Sequence, residues 1–149
     1  MKIEIDQSNK IETTNKQTVI AFSNGISAVL SISSKDKKEL QAIFRKISKP
    51  RIFVYKLFAI LIFLLIKNYL NKITQIIIDT EYIGQEPLIK SFLLREIQKV
   101  KPNFEKETII FKGIGKSSRA HSLAYLTGKG KIKPNKEVEA KDILEFILK

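Results

Sequence analysis

The sequence predicts an α/β fold: a mixed five-stranded sheet, antiparallel over strands 1–3 and parallel over strands 4–5, flanked by helices. Three observations carry this expectation. Three β-prone segments follow one another with short connections before residue 33, which makes an antiparallel meander. Beyond that point helical patterns alternate with short β-branched runs, and a strand that follows a helix, twice in succession, needs crossovers and hence parallel pairing. Between the two parts lies a run that is apolar all round, as a helix buried against a sheet should be. The order along the chain is βββ, α, α, β, α, β, α, α. No repeat and no linker divides it, so residues 1–149 form one domain.

Each element has a local cause. Lys2 to Asp6 alternates, with Ile3 and Ile5 on one face and Lys2, Glu4 and Asp6 on the other. Thr18 to Phe22 and Ser27 to Ile32 flank Ser23-Asn24-Gly25, and Asn-Gly is a strong hairpin signal. Ser33-Ser34-Lys35-Asp36 can cap a helix whose apolar positions Leu40, Ile43, Phe44 and Ile47 recur at helical spacing, until Pro50 stops it. A buried helix is expected over residues 52–70, and Gln75 to Asp79 reads as a strand covered on both faces. Gly84, Glu86 and Pro87 open a helix that carries Leu88, Ile89, Phe92, Leu93 and Ile97 on one stripe and ends before Pro102. Thr108 to Phe111 is a further strand, ended by Gly113 and Gly115; a short helix follows over 119–127, and 137–148 reads as an amphipathic C-terminal helix.

Composition narrows the chemistry. Lys and Arg number 27 against 15 acids, a net charge of +12 with a pI near 9.8, which favours a polyanionic partner. There is no cysteine, so disulfide frameworks, thiolate zinc sites and thiol nucleophiles are excluded; the single histidine, His121, excludes any site needing two imidazoles. The apolar run Ile52 to Ile66 invites a membrane reading, but its uninterrupted part, Leu57 to Ile66, would rise only about 15 Å as a helix, half a hydrocarbon core. Lys56 interrupts the longer stretch, and the first residues, MKIEID, lack the apolar core of a signal peptide. The expectation is a cytoplasmic protein with no membrane partner.

The acids fall at informative places. Asp6 closes the first strand and Asp79 the fourth, and ligand sites in open α/β sheets gather where strands end. Glu39, near the start of the first helix, can supply a third carboxylate. Hard oxygen ligands without thiolates suit Mg²⁺ or Mn²⁺. Acids at strand ends are also ordinary solvated turn residues, so position alone does not make a site.

The local sequences add a resemblance. Ile3-Glu4-Ile5-Asp6-Gln7-Ser8, Lys38-Glu39-Leu40-Gln41-Ala42 and Ile78-Asp79-Thr80-Glu81-Tyr82-Ile83 resemble three acid-bearing segments of the ribonuclease H-like superfamily, which includes ribonucleases H, integrases, transposases and Holliday-junction resolvases. Phe111-Lys112-Gly113 is similar to the end of that family's fifth strand, and Ser118-Arg119-Ala120-His121-Ser122-Leu123-Ala124 to the helix bearing its fourth acid. His121 takes the place of that acid, a departure shared with resolvase-like branches. The resemblance covers roughly residues 1–127 through motifs of a few residues each. It implies a nuclease that cuts phosphodiester bonds of RNA, an RNA–DNA hybrid or branched DNA by a two-metal mechanism. Asp6, Glu39 and Asp79 would hold Mg²⁺ or Mn²⁺, with His121 as a further catalytic group. The spacing departs from the pattern, because an extra apolar helix lies between Glu39 and Asp79; if that helix were the family's first, Glu81 or Glu86 would have to substitute.

The basic residues complete the expectation. Lys112, Lys116, Arg119, Lys129, Lys131 and Lys133 cluster after the fifth strand, among glycines whose backbone can approach phosphate, and are expected to bind nucleic acid. No aromatic interleaving of the single-strand stacking type is evident; Tyr82 and Tyr125 are isolated candidates. The segment GIGK at 113–116 lacks the spacing of a phosphate-binding NTPase loop. A binding module of the same fold that has lost part of the metal site is the alternative reading.

Overall fold

A computed structural model describes residues 1–147. It is α/β, with a mixed sheet of six strands in the order β5-β4-β1-β2-β3-β6 and five α-helices. The strands are β1 (Lys2–Ser8), β2 (Thr18–Asn24), β3 (Ile26–Ile32), β4 (Gln75–Ile78), β5 (Ile109–Phe111) and β6 (Lys136–Val138). The helices are α1 (Ser34–Lys46), α2 (Phe53–Ile66), α3 (Glu86–Val100), α4 (Arg119–Gly128) and α5 (Ala140–Ile147). β1, β2 and β3 pair antiparallel, while β4 joins β1, β5 joins β4 and β6 joins β3 in parallel.

The expected five strands are therefore corrected to six. Residues 136–138, of which the sequence pattern places 137 and 138 in the C-terminal helix, form β6, and α5 begins only at Ala140. The cause is the open edge of β3. Asn135 docks on it by two hydrogen bonds, its side-chain oxygen accepting from the Val29 amide (2.7 Å) and its own amide donating to the Val29 carbonyl (2.8 Å). That contact starts a parallel pairing which covers an otherwise unpaired strand. Leu148, the last residue expected in the helix, lies outside the described residues.

The hairpin signal is realised between β2 and β3, where Asn24 pairs with Ile26 around Gly25. Gly25 has φ +81°, the left-handed conformation that glycine adopts without a Cβ penalty. Ser33 caps α1 as expected, accepting a hydrogen bond from the Asp36 amide at 3.1 Å.

One face of the sheet carries most of the core. Ile3 and Ile5 of β1, Ile20 and Phe22 of β2, Leu30 and Ile32 of β3 and Ile76 and Ile78 of β4 pack there with α1, α2, α3 and α5. In α2 every residue from Lys56 to Ile66 is buried. The segment Pro50–Tyr69 is long and apolar enough to cross a membrane by length and composition alone, and its packing against β2, β3 and α3 accounts for that character within the domain. Lys56 is accommodated with its ammonium 5.6 Å from the centre of the Phe92 ring; burial, and then the nearby Arg95 and Lys49 charges, lower its pKa. The opposite face is covered by α4, which lies over β1 and β2 on a small cluster of Val19, Ala21, Val29 and Ala124.

Candidate metal centre

β1 and β4 run parallel and side by side, with Ile5 opposite Ile78, so the residues that follow these positions emerge at the same end of the sheet. Asp6 and Asp79 are those residues. The Asp79 amide continues the ladder, donating to the Ile5 carbonyl at 3.0 Å. Asp6 points to the α4 face, opposite to Ile5, as strand alternation requires. With Glu81 these acids form a cluster in which one carboxylate oxygen from each lies within 4.8 Å of the others.

Glu81 joins because it stands two positions after Asp79, a spacing that puts two side chains on the same side of a near-extended segment. β4 itself ends at Ile78, and residues 79–81 belong to no strand. The next residue, Tyr82, turns to the core face and is buried. Its hydroxyl accepts from the Gln7 side chain (3.2 Å) and the Ile11 amide (3.1 Å) and donates to Glu12 (3.2 Å), fixing the segment after β4 to the loop after β1. Burial pushes the Tyr82 phenol well above its ordinary pKa.

The acids are individually tethered. Asp6 is buried; one of its oxygens accepts from the Gln7 amide at 2.8 Å, and the other lies 2.9 Å from Nδ1 of His121. Asp79 accepts from the Ile114 amide at 2.9 Å, which draws the loop between β5 and α4 over the site. Burial, then hydrogen bonds with Asp79 and Asp6 and their negative charge, push the Glu81 carboxyl up to about 8. Glu81 is thereby displaced toward its protonated form.

The cluster thus unites Asp6 and Asp79, with His121 on Asp6, and takes Glu81 as its third acid. Glu39 is not one of the clustered acids: it is exposed on α1, whose packing partners include α2 and α5. Glu86 is engaged elsewhere, its carboxylate accepting from the Gly84 amide at 2.7 Å at the start of α3. Lys112 and Lys116 are exposed on the loop tethered to Asp79. Arg119 is exposed at the first turn of α4 and lines a cleft of about 460 Å³ with Lys2, Glu4 and Asn24. Lys129 and Lys131 are exposed where α4 ends.

The donor chemistry fits a hard divalent cation. Three carboxyl groups converge, no thiolate is present, and a cation would offset the mutual repulsion that raises the Glu81 pKa. Comparison with family models, with curated proteins and with solved structures finds no match.

Proposed function

We propose that this chain is a metal-dependent nuclease of ribonuclease H-like type, acting on RNA, an RNA–DNA hybrid or branched DNA. The observation that carries the reading is the convergence of Asp6, inside β1, with Asp79 and Glu81, just past the end of the adjacent parallel strand β4, and with His121 held against Asp6. Three antiparallel strands followed by two parallel ones also agree with the arrangement the resemblance implies.

In this reading Asp6, Asp79 and Glu81 hold Mg²⁺ or Mn²⁺, and Glu81 takes the place expected for Glu39. The bound ion supplies polarisation of the phosphodiester and a lowered pKa for its water. His121, part-exposed and anchored through Nδ1, fixes the Asp6 carboxylate and leaves its other ring nitrogen able to take or give a proton. Lys112 and Lys116 hold the phosphate chain beside the acids.

The test is a cleavage panel of single-stranded, hybrid and four-way-junction substrates with Mg²⁺ and with Mn²⁺. Cleavage of at least one substrate, abolished by Asp79→Asn, is expected; intact substrates throughout would sink the nuclease. The exposure of Glu39 away from the cluster favours a second reading, a nucleic-acid-binding module with an incomplete metal set. Binding without cleavage, unaffected by Asp79→Asn, would establish it instead.

A further inference from the structure

The α4 helix extends the site in one direction. His121, Tyr125 and Lys129 stand four residues apart, so they line one stripe along about 12 Å of helix, starting at the residue that contacts Asp6. The rings of His121 and Tyr125 are stacked, 15° from parallel with centroids 6.5 Å apart, and the Lys129 ammonium lies 5.5 Å from the centre of the Tyr125 ring. Tyr125 is nevertheless 50% exposed, an amphipathic ring held in place by its neighbours with much of its surface free.

Beside this stripe opens a cleft of about 430 Å³, lined by Tyr125, Lys129, Lys16, Gln17, Ser8 and Asn9. Two backbone features shape it. Asn9 adopts φ +61°, which asparagine tolerates better than most residues, and turns the chain out of β1. Gly128 lets the end of α4 approach that turn: a Cβ there would lie 3.0 Å from Oγ of Ser8. The close approach seats Tyr125 and Lys129 next to the end of β1, on the strand that carries Asp6.

We propose that this cleft is a subsite for an unpaired nucleotide flanking the scissile phosphate, with its base stacked on Tyr125 and its phosphate held by Lys129 and Lys16. The proposal rests on the nuclease reading for the word scissile alone. The half-exposed Tyr125 ring, from which the flexible Lys129 ammonium can swing to a phosphate, recognises a base that has left its stack, whereas duplex bases are already covered by their neighbours; lysines alone would serve any polyanion. The occupant is therefore single-stranded nucleic acid or a strand end.

The experiment measures fluorescence anisotropy of the full chain with labelled 15-residue oligothymidylate, oligouridylate and a 15-base-pair duplex, in EDTA so that no chemistry intervenes. Tyr125→Ala is expected to weaken binding of at least one single strand about tenfold while changing duplex binding less than twofold. Tyr125→Phe should bind as the wild type, because stacking needs the ring and not the hydroxyl. Lys129→Gln should weaken all three ligands and lower the salt dependence of binding by about one counterion. Single-strand binding unchanged by Tyr125→Ala, equal losses on the duplex, or no single-strand binding at all would overturn the subsite. Since metal plays no part, a chain that stacks single strands through Tyr125 yet cleaves nothing refutes the nuclease and leaves the subsite standing. Oligothymidylate against oligouridylate tells DNA from RNA.

Discussion

The two faces of the sheet are built for different ends from the same strands. On one, Ile3, Ile5, Ile76 and Ile78 share a single core with Leu57, Ile60 and Leu61 of a helix buried almost throughout. On the other, Glu4 and Asp6 alternate with those isoleucines, and α4 rests on a cluster of only four buried residues. Acids that would be intolerable in the first layer are supported in the second, where amides and an imidazole reach them. Stability is concentrated on the thick side, which leaves the thin side free to gather charges that oppose one another.

Substitutions that strike one face and spare the other test that division. Phe58→Ala removes a fully buried ring that packs edge-on to Tyr82, with centroids 5.2 Å apart, and should cost about 3–5 kcal/mol in urea unfolding. Val19→Ala, equally buried but under α4, should cost about 1–2 kcal/mol. Equal losses at the two positions would refute the asymmetry. Asp79→Asn reverses the pattern: Asn can still accept from the Ile114 amide, and one repelling charge is gone, so the melting temperature should hold or rise. Mn²⁺ affinity, read by calorimetry, should nonetheless fall by at least the order of 10–100-fold that even supporting groups of metal sites can carry.

The contrast also separates what could be read in the sequence from what could not. The thick face was legible because local pattern suffices there: alternation at Ile3 and Ile5, the Asn24-Gly25 turn, and an apolar run with no polar side to show to water. Asp79 is visible as the acid that follows a strand, whereas Asp6, read as closing the first strand, lies inside it, because pairing with β2 carries β1 on to Ser8. Glu81 ranks behind Glu39 in the sequence because the resemblance points to the first helix for its third acid, although the two-residue spacing from Asp79 already puts Glu81 on the same side of the chain. β6 was invisible because Lys136-Glu137-Val138 has no strand pattern of its own and owes its conformation to the distant edge of β3. The ring partners of Tyr125, His121 and Lys129, stand four residues to either side and are open to a helical reading; the cleft walls Ser8, Asn9 and Lys16 are not, because they depend on where α4 lies over β1. Sites made of non-local contacts are where sequence pattern falls short.

Titration gives the finer comparison, since each face holds an ionisable group displaced toward its neutral form. Glu81 titrates near 8 in the folded chain and near its ordinary 4.5 when unfolded. Between those values the unfolded chain releases the proton and the folded chain keeps it, so this group's stabilisation is present below about 4.5 and lost as pH rises toward 8. Glu81→Gln should abolish that decline, so that denaturant midpoints of the variant overtake those of the wild type between pH 5 and pH 8.5. Parallel midpoints in the two proteins would show that Glu81 is not held protonated.

Lys37, on α1, gives the smallest effect and the opposite sign. Its ammonium is buried, donating to the carbonyls of Lys10 (3.3 Å) and Thr13 (2.8 Å) and to Oγ1 of Thr18 (2.9 Å), and so ties the loop after β1 to the thick side. Burial lowers its pKa from 10.5 to about 8, with Glu12 opposing the shift. Below about 8 both states are protonated; between 8 and 10.5 the folded chain has released its proton and the unfolded chain has not, so stability rises with pH through that window. Lys37→Met exchanges three hydrogen bonds for relief of a buried charge, and the net change at pH 7 should stay within about 1 kcal/mol. The variant should lack the rise that the wild type shows from pH 8 to 10, measured by urea unfolding. If both proteins show the same slope, the buried ammonium is not what titrates, and the loop beside the acids is held to α1 by its hydrogen-bond geometry alone.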